Sequence, residues 1–256
     1  RRAQDAITNM RPYAEKLSEV MGNLSQAAEG SDSPYMEQRE VEHITLVLVT
    51  SNRGLCGAFN AQIIRRAKAL VSTTYADYAK SGKLSLVTVG KKASSWAAQS
   101  GLNHQASYDE LYTDLSFPNV VPAAESLMQQ FALGETDKVV LLYNRFVTAA
   151  AQLVTEEQML PVMPPQSNEA NGNGVEYIYE PDKASILENL IPISLKTQFF
   201  KVLLDSHASE HGARMTAMHK ATDNAGELLK SLKLSYNKAR QAAITNEILE
   251  IVAGAE

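Results

Sequence analysis

Residues 193–253 read ISLKTQFFKVLLDSHASEHGARMTAMHKATDNAGELLKSLKLSYNKARQAAITNEILEIVA. No proline follows Pro192, and helix formers dominate from Ile193 to Ala253. Met218, Ala221, Ala225, Leu228, Leu232, Ala239, Ala242 and Leu249 recur at helical steps, with Ser235 and Asn246 as polar breaks in the seam. A continuous helix of about 60 residues is roughly 90 Å long. A compact domain of this chain length has a radius of gyration of roughly 18 Å. The helix must therefore project well beyond any body it belongs to. A helix with an apolar seam is not stable alone in water, so the pattern predicts a partner.

Residues 1–30 supply one. Ala3, Ile7, Met10, Ala14, Leu17, Met21, Leu24 and Ala28 recur at steps of three and four. Pro12 inside this stripe should bend the helix or cost a hydrogen bond. Gly30 and the Ser31-Asp32-Ser33-Pro34 run read as a helix stop and loop. The opening Arg1-Arg2-Ala3 has neither an initiator Met nor an N-cap residue, so we read a helix already in progress, with residues expected upstream. An antiparallel two-helix coiled coil is the expected pairing. Its seam is rich in Ala, which allows close approach but buries little area. Such a thin shaft calls for something else around it.

Residues 40–180 read as an α/β body. His43 to Thr50 is a short apolar, β-branched run of the kind buried on both faces of a parallel sheet. A turn at Asn52–Gly57 leads into a helix over Ala58–Lys80. Leu84–Val89 is a second strand, Lys91–Gln99 a helix, Val120–Leu133 a helix and Lys138–Tyr143 a third strand. The alternation predicts a Rossmann-like, mostly parallel sheet. Gln152–Thr155 and Val175–Tyr179 read as edge strands, and Pro164 to Gly174 as a turn-rich mobile loop. The chain thus divides into a shaft helix over 1–30, a base over 40–180 and a long shaft helix over 182–256.

Composition removes several functions. The 256 residues are 45% hydrophobic and 21% charged, an ordinary globular balance. The formal net charge of −5 argues against nucleic acid as the main partner. The single cysteine, Cys56, cannot form an internal disulfide and fits a reducing compartment. The best candidate span, Val139–Val154, is broken by Asn144 and Arg145, so no membrane crossing is expected.

Three motifs invite chemistry. The turn Ser51–Asn60 follows a strand and opens a helix, a place where phosphates bind. Neither G-x-x-x-x-G-K-[ST] nor G-x-G-x-x-G occurs there, so a tight turn using Gly for backbone room is the favoured reading. Cys56 beside it would need a base; His43 and His104 are available, but a packed small residue is the simpler role. His207-Ala208-Ser209-Glu210-His211 matches H-x-x-E-H, in which two imidazoles one turn apart hold Zn²⁺ and Glu210 acts as base. This zinc-dependent hydrolase is the alternative reading; it lacks a third ligand in sequence and a cleft-forming element after it. Finally, Lys230 to Arg240 holds four basic residues and no acid, either a solvated face or a contact for an acidic partner.

Several stretches together resemble the gamma subunit family of F-type ATP synthases, the central rotor shaft. They are Thr50-Ser51-Asn52-Arg53-Gly54-Leu55-Cys56-Gly57, Tyr179-Glu180-Pro181-Asp182, Ala213–Met218, Ala221–Ala225, Tyr236-Asn237-Lys238-Ala239-Arg240-Gln241 and Ile244–Ala255. The resemblance spans essentially the whole chain. It implies an antiparallel coiled coil on a Rossmann-like base, and a non-catalytic subunit with no cofactor or metal. The implied partners are a ring of three alpha and three beta subunits around the tip, with the epsilon subunit and the membrane c-ring at the base. By resemblance, Arg240, Gln241 and Thr245 face the beta catch loop, and Tyr177, Tyr179 and Glu180 form the c-ring foot. The implied location is peripheral, on the inner face of an energy-coupling membrane: the bacterial cytoplasmic side or the organellar matrix. Family members carry further N-terminal residues that complete the first shaft helix. The paired cysteines of the light-regulated plastid form are absent, so thiol regulation is not expected.

Overall fold

A computed structural model describes residues 2–27, 33–163 and 183–255. Its centre is β1 (Ile44–Val49), in which every residue is buried, as its unbroken apolar run requires. β1 lies between β2 (Leu84–Val89) and β4 (Lys138–Phe146), both parallel to it. β3 (Asn103–Ser107) extends the sheet parallel to β2, and β5 (Gln152–Leu160) closes the other edge antiparallel to β4. The strand order is β3-β2-β1-β4-β5.

Successive strand residues point to opposite faces, and this alternation sorts the core into two layers. Ile44, Leu46, Leu48, Leu84, Leu86, Val140 and Leu142 meet α2 (Phe59–Ser72) and α4 (Lys91–Ser100) through Ile63, Ala67, Leu70, Ala93 and Ala97. Val47, Val49, Val87, Val89, Val139, Leu141 and Tyr143 meet α5 (Phe117–Ala132) through Val120, Leu127 and Phe131. The same face is covered by α6 (Lys183–Ala253), through Ile191, Leu195, Phe199, Val202 and Leu203.

The mostly parallel α/β reading holds, with local differences. The helix expected over Ala58–Lys80 is two helices, α2 and α3 (Ala76–Lys80). Thr73 ends the first by donating its hydroxyl to the Ala69 carbonyl at 2.7 Å, and Tyr75 turns its ring into the core. β3 is not among the expected strands, because NHQAS is a polar edge strand whose positions alternate between exposed and half-buried. α5 begins three residues before Val120, since Pro118 fits a first turn whose N–H would be unpaired anyway. β4 continues through Asn144 and Arg145 because Asn144 finds buried partners there. Val175–Tyr179 and the 164–174 loop lie outside the described residues.

α6 spans 71 residues, about 107 Å at 1.5 Å per residue. It starts ten residues earlier than Ile193 and runs through Pro192. The lost hydrogen bond is offset by core packing on either side: Ile191 and Leu195 are fully buried.

α1 (Arg2–Ala27) contains Pro12 and lies antiparallel to α6. Ile7 packs with Leu204, Ala208 and Phe146, whereas Val20 reaches the cluster holding Ile186 and Leu190. This packing does not establish the two-helix coiled coil expected along the seam. α1 covers the foot of α6, not the Met218–Leu249 seam. From Met218 to Ala255 every residue is exposed, and the seam has no partner among the described residues.

Candidate functional site

The strand order reverses direction beside β1, which makes the carboxyl ends of β1 and β4 the topological switch point. Open α/β sheets bind ligands in this crevice. Here α6 fills it. Ser209 donates its hydroxyl to the Asn144 carbonyl at 2.9 Å, and Asn144 in turn donates Nδ2 to the Phe59 carbonyl at 3.2 Å. Gly212 lies so close to the β4–β5 turn that a Cβ would sit 2.7 Å from the Ala149 carbonyl oxygen. Arg214 donates Nη2 to the Gly54 carbonyl at 3.2 Å and pairs with Glu210 at 2.7 Å.

The donors around the crevice are also spoken for within the protein. Asn60 Oδ1 accepts the Ser51 amide at 2.9 Å, closing the β1–α2 turn on itself. The first amides of α4 are capped by Asn52 Oδ1, which accepts from Lys91 at 3.0 Å, and by Thr50 Oγ1, which accepts from Ala93 at 2.8 Å. Gly90 permits this approach, since a Cβ there would stand 2.2 Å from the Thr50 carbonyl oxygen. The tight-turn reading of Ser51–Asn60 therefore holds. Cys56 is buried, with Asn60 Nδ2 at 3.2 Å from its sulfur. The two candidate bases are engaged elsewhere: His104 Nε2 lies 2.9 Å from Thr88 Oγ1, and His43 Nδ1 lies 3.9 Å from Asp137.

The zinc reading fails on geometry. His207 Nε2 and His211 Nε2 do come within 3.1 Å. Among the described residues no third His, Cys, Asp or Glu joins them. Glu210, the supposed base, is buried and held by Arg214. The segment also lies within the base, not on the projecting part: the His207 ring rests against Tyr112, with centroids 5.8 Å apart. Burial, with His211 alongside, lowers the His207 pKa.

Two charged pairs lock the foot. Arg11 of α1 reaches Asp205 of α6 at 2.6 Å and also donates to the Phe146 carbonyl. Arg39 holds Asp137 at 2.6 Å and lies over the Phe131 ring at 4.6 Å. Sequence reasoning missed Asp205, Ser209, Gly212 and Arg214. The signal for two of them was a run of small residues, Ser206, Ala208, Ser209, Gly212 and Ala213, that lets α6 approach closely.

The residues expected to meet a partner stand far from this body. Gln241 and Thr245 are one turn apart on one stripe, and Thr245 donates its hydroxyl to the Gln241 carbonyl at 2.9 Å. Arg240 sits about 100° round the helix on the adjoining face. All three are exposed, and no described ion pair includes Arg240. The basic residues Lys230, Lys233 and Lys238 are exposed alongside. Tyr177, Tyr179 and Glu180 lie outside the described residues.

A base whose crevice holds its own helix, with that helix running on exposed from Met218, has the shape of a stalk. The family model described as ATP synthase matches residues 1–256. ATP synthase gamma chains of Christiangramia forsetii and Flavobacterium johnsoniae are 52% and 51% identical, each aligned over 100% of this chain and 87% of the relative. The chain belongs to the ATP synthase gamma-chain family. The fold is also that of a rotor chain in the Euglena gracilis mitochondrial ATP synthase, with a TM-score of 0.59 and 16% identity over 94% of this chain and 97% of that one.

Proposed function

We propose that this chain is the central-stalk rotor of an F-type ATP synthase, a non-catalytic subunit that couples c-ring rotation to ATP synthesis or hydrolysis at the beta subunits. The observation that carries this reading is the exposed stretch of α6 from Met218 onward, in a chain half identical to gamma chains. That stretch carries an apolar seam with no partner among the described residues, and a seam of this kind calls for one.

The mechanism follows from symmetry. A single shaft inside a ring of three alpha and three beta subunits shows each beta subunit a different face. The Gln241–Thr245 stripe and the Arg240 face differ in chemistry, so each rotary position favours a different set of beta conformations. Rotation shifts those populations, and linkage requires the same coupling to run backwards during hydrolysis. In this reading Arg240, Gln241 and Thr245 meet the beta catch loop. Tyr177, Tyr179 and Glu180 belong to the c-ring foot, and epsilon binds the base. In this reading 1–30 and 182–256 are the shaft segments and 40–180 the base, with the first part of α6 seated in that base. No described helix is long and apolar enough to cross a membrane. We therefore assign contact with the membrane to the c-ring, on the inner face.

The test is reconstitution with matching alpha and beta subunits. Turnover of ATP is compared with no added chain, with the full chain, and with a chain ending before Lys230. One copy per three alpha-beta pairs with raised turnover is expected, and the truncation should lose that gain. Failure to assemble, or turnover indifferent to the shaft, would overturn the assignment.

A further inference from the structure

The seat of α6 in the sheet crevice has a mechanical meaning that rests on the rotor reading. Torque between base and ring must cross the joint between the α/β body and α6. Below, that joint is made by the buried apolar stripe of α6 and the Arg11–Asp205 pair. Above, at the last point where α6 touches the body, it is made by a different set of contacts. Gly212 brings helix backbone against the Ala149 backbone, leaving no room for a side chain. Thr216 Oγ1 lies 3.4 Å from the same Ala149 carbonyl. Across the crevice, one Arg214 nitrogen joins Glu210 on its own helix to Gly54 on the β1–α2 turn. The two sides are thus gripped from opposite edges, β4–β5 on one and β1–α2 on the other. A rod held at two opposed points resists twisting about its axis, whereas an apolar groove alone permits rolling.

The turn that receives Arg214 is itself unusual. Leu55 adopts a φ of 61°, in the left-handed region, with its side chain 78% exposed. Leucine gains nothing by local geometry there, and such backbone persists where surroundings over-determine it. Leu55 directly follows Gly54, whose carbonyl accepts from Arg214.

We propose that Gly212 and Arg214 form a torsional key that locks the shaft to the base, so that Arg214 is a positioning residue for torque transfer. The key predicts a separation of effects. ATP hydrolysis by the detached alpha-beta head needs only the shaft. Proton movement by the whole enzyme needs the joint.

The experiment uses Arg214→Ala and Arg214→Lys in the whole enzyme in vesicles, and in the head alone. Gly212→Val is a harsher version that can fail to fold, so the Arg214 variants carry the test. With Arg214→Ala we expect head hydrolysis at the wild-type rate, a fall in protons moved per ATP, and partial recovery with Arg214→Lys. In a single-molecule twist measurement with the load on the base, compliance should rise, since the grip on the β1–α2 side is lost while that on Ala149 remains. Wild-type proton yield and compliance in Arg214→Ala would overturn the key while leaving the rotor reading intact. An equal loss of head hydrolysis would also overturn it, because Arg214 would then act on the ring. If the unaltered chain neither assembles nor stimulates hydrolysis, it is the rotor reading that fails.

Discussion

Asp205 has a fully buried side chain, and burial pushes its carboxyl above the usual range despite Arg11, Lys201 and the Phe146 amide pulling it down. Arg11 therefore matters most for what it leaves behind. Arg11→Ala strands a buried charge, and we expect a loss of about 3 kcal/mol, the low end for a broken buried pair because Arg11 keeps some exposure. Urea unfolding measures this, and proteolysis should cut α1 sooner. His207 gives a second prediction. Its folded pKa is lowered, by burial first and then by His211 and Arg214, with Glu210 opposing. The fold therefore prefers the neutral ring. That stability is complete above the unfolded value of about 6.5 and declines as pH falls toward the folded one. His207→Gln should flatten the fall in melting temperature on acidification below neutrality; an unchanged slope would sink the argument. Asp137 shifts in the same direction, for a different reason. Burial pushes it up, but the His43 and Glu42 amides and Arg39 outweigh this and hold it low. Its contribution persists well into acid and disappears only as the pH falls through its depressed pKa.

At the scale of elements, the two halves of α6 differ in what holds them. Residues up to Thr216 share the core, whereas those from Met218 are exposed throughout. Deleting residues 220–255 should leave the unfolding free energy of the base unchanged within about 0.5 kcal/mol. A clear drop would mean the shaft folds with the base as one unit. The same contrast explains what sequence could tell. β1 and β2 are legible because a strand covered on both faces must be apolar at every position. β3 is not, because a polar edge strand carries no apolar period. The onset of α6 is hidden behind Pro192, where packing of Ile191 overrides a local rule. The seat in the crevice is hidden too. Small residues at Ser209 and Gly212 announce a close approach, but not the surface approached. Arg240, Gln241 and Thr245 look like any solvated helix face, and only the family resemblance singles them out.

At the scale of the whole molecule, the residues that hold the fold and those we propose to meet the ring are spatially separate, so their effects should separate in experiments. Arg240 has no described ion-pair partner within the chain. Arg240→Ala should leave melting unchanged yet weaken binding to the alpha-beta ring by about 1 kcal/mol, roughly fivefold. A shifted melting point with unaltered ring affinity would reverse that assignment. The filled crevice has one more consequence. A sheet of this order normally offers its switch point to a nucleotide. Here α6 occupies that place, tied to the Asn144 carbonyl by Ser209 and to the Gly54 carbonyl by Arg214. The chain plugs the customary vacancy of its own fold and so turns a berth into a mount.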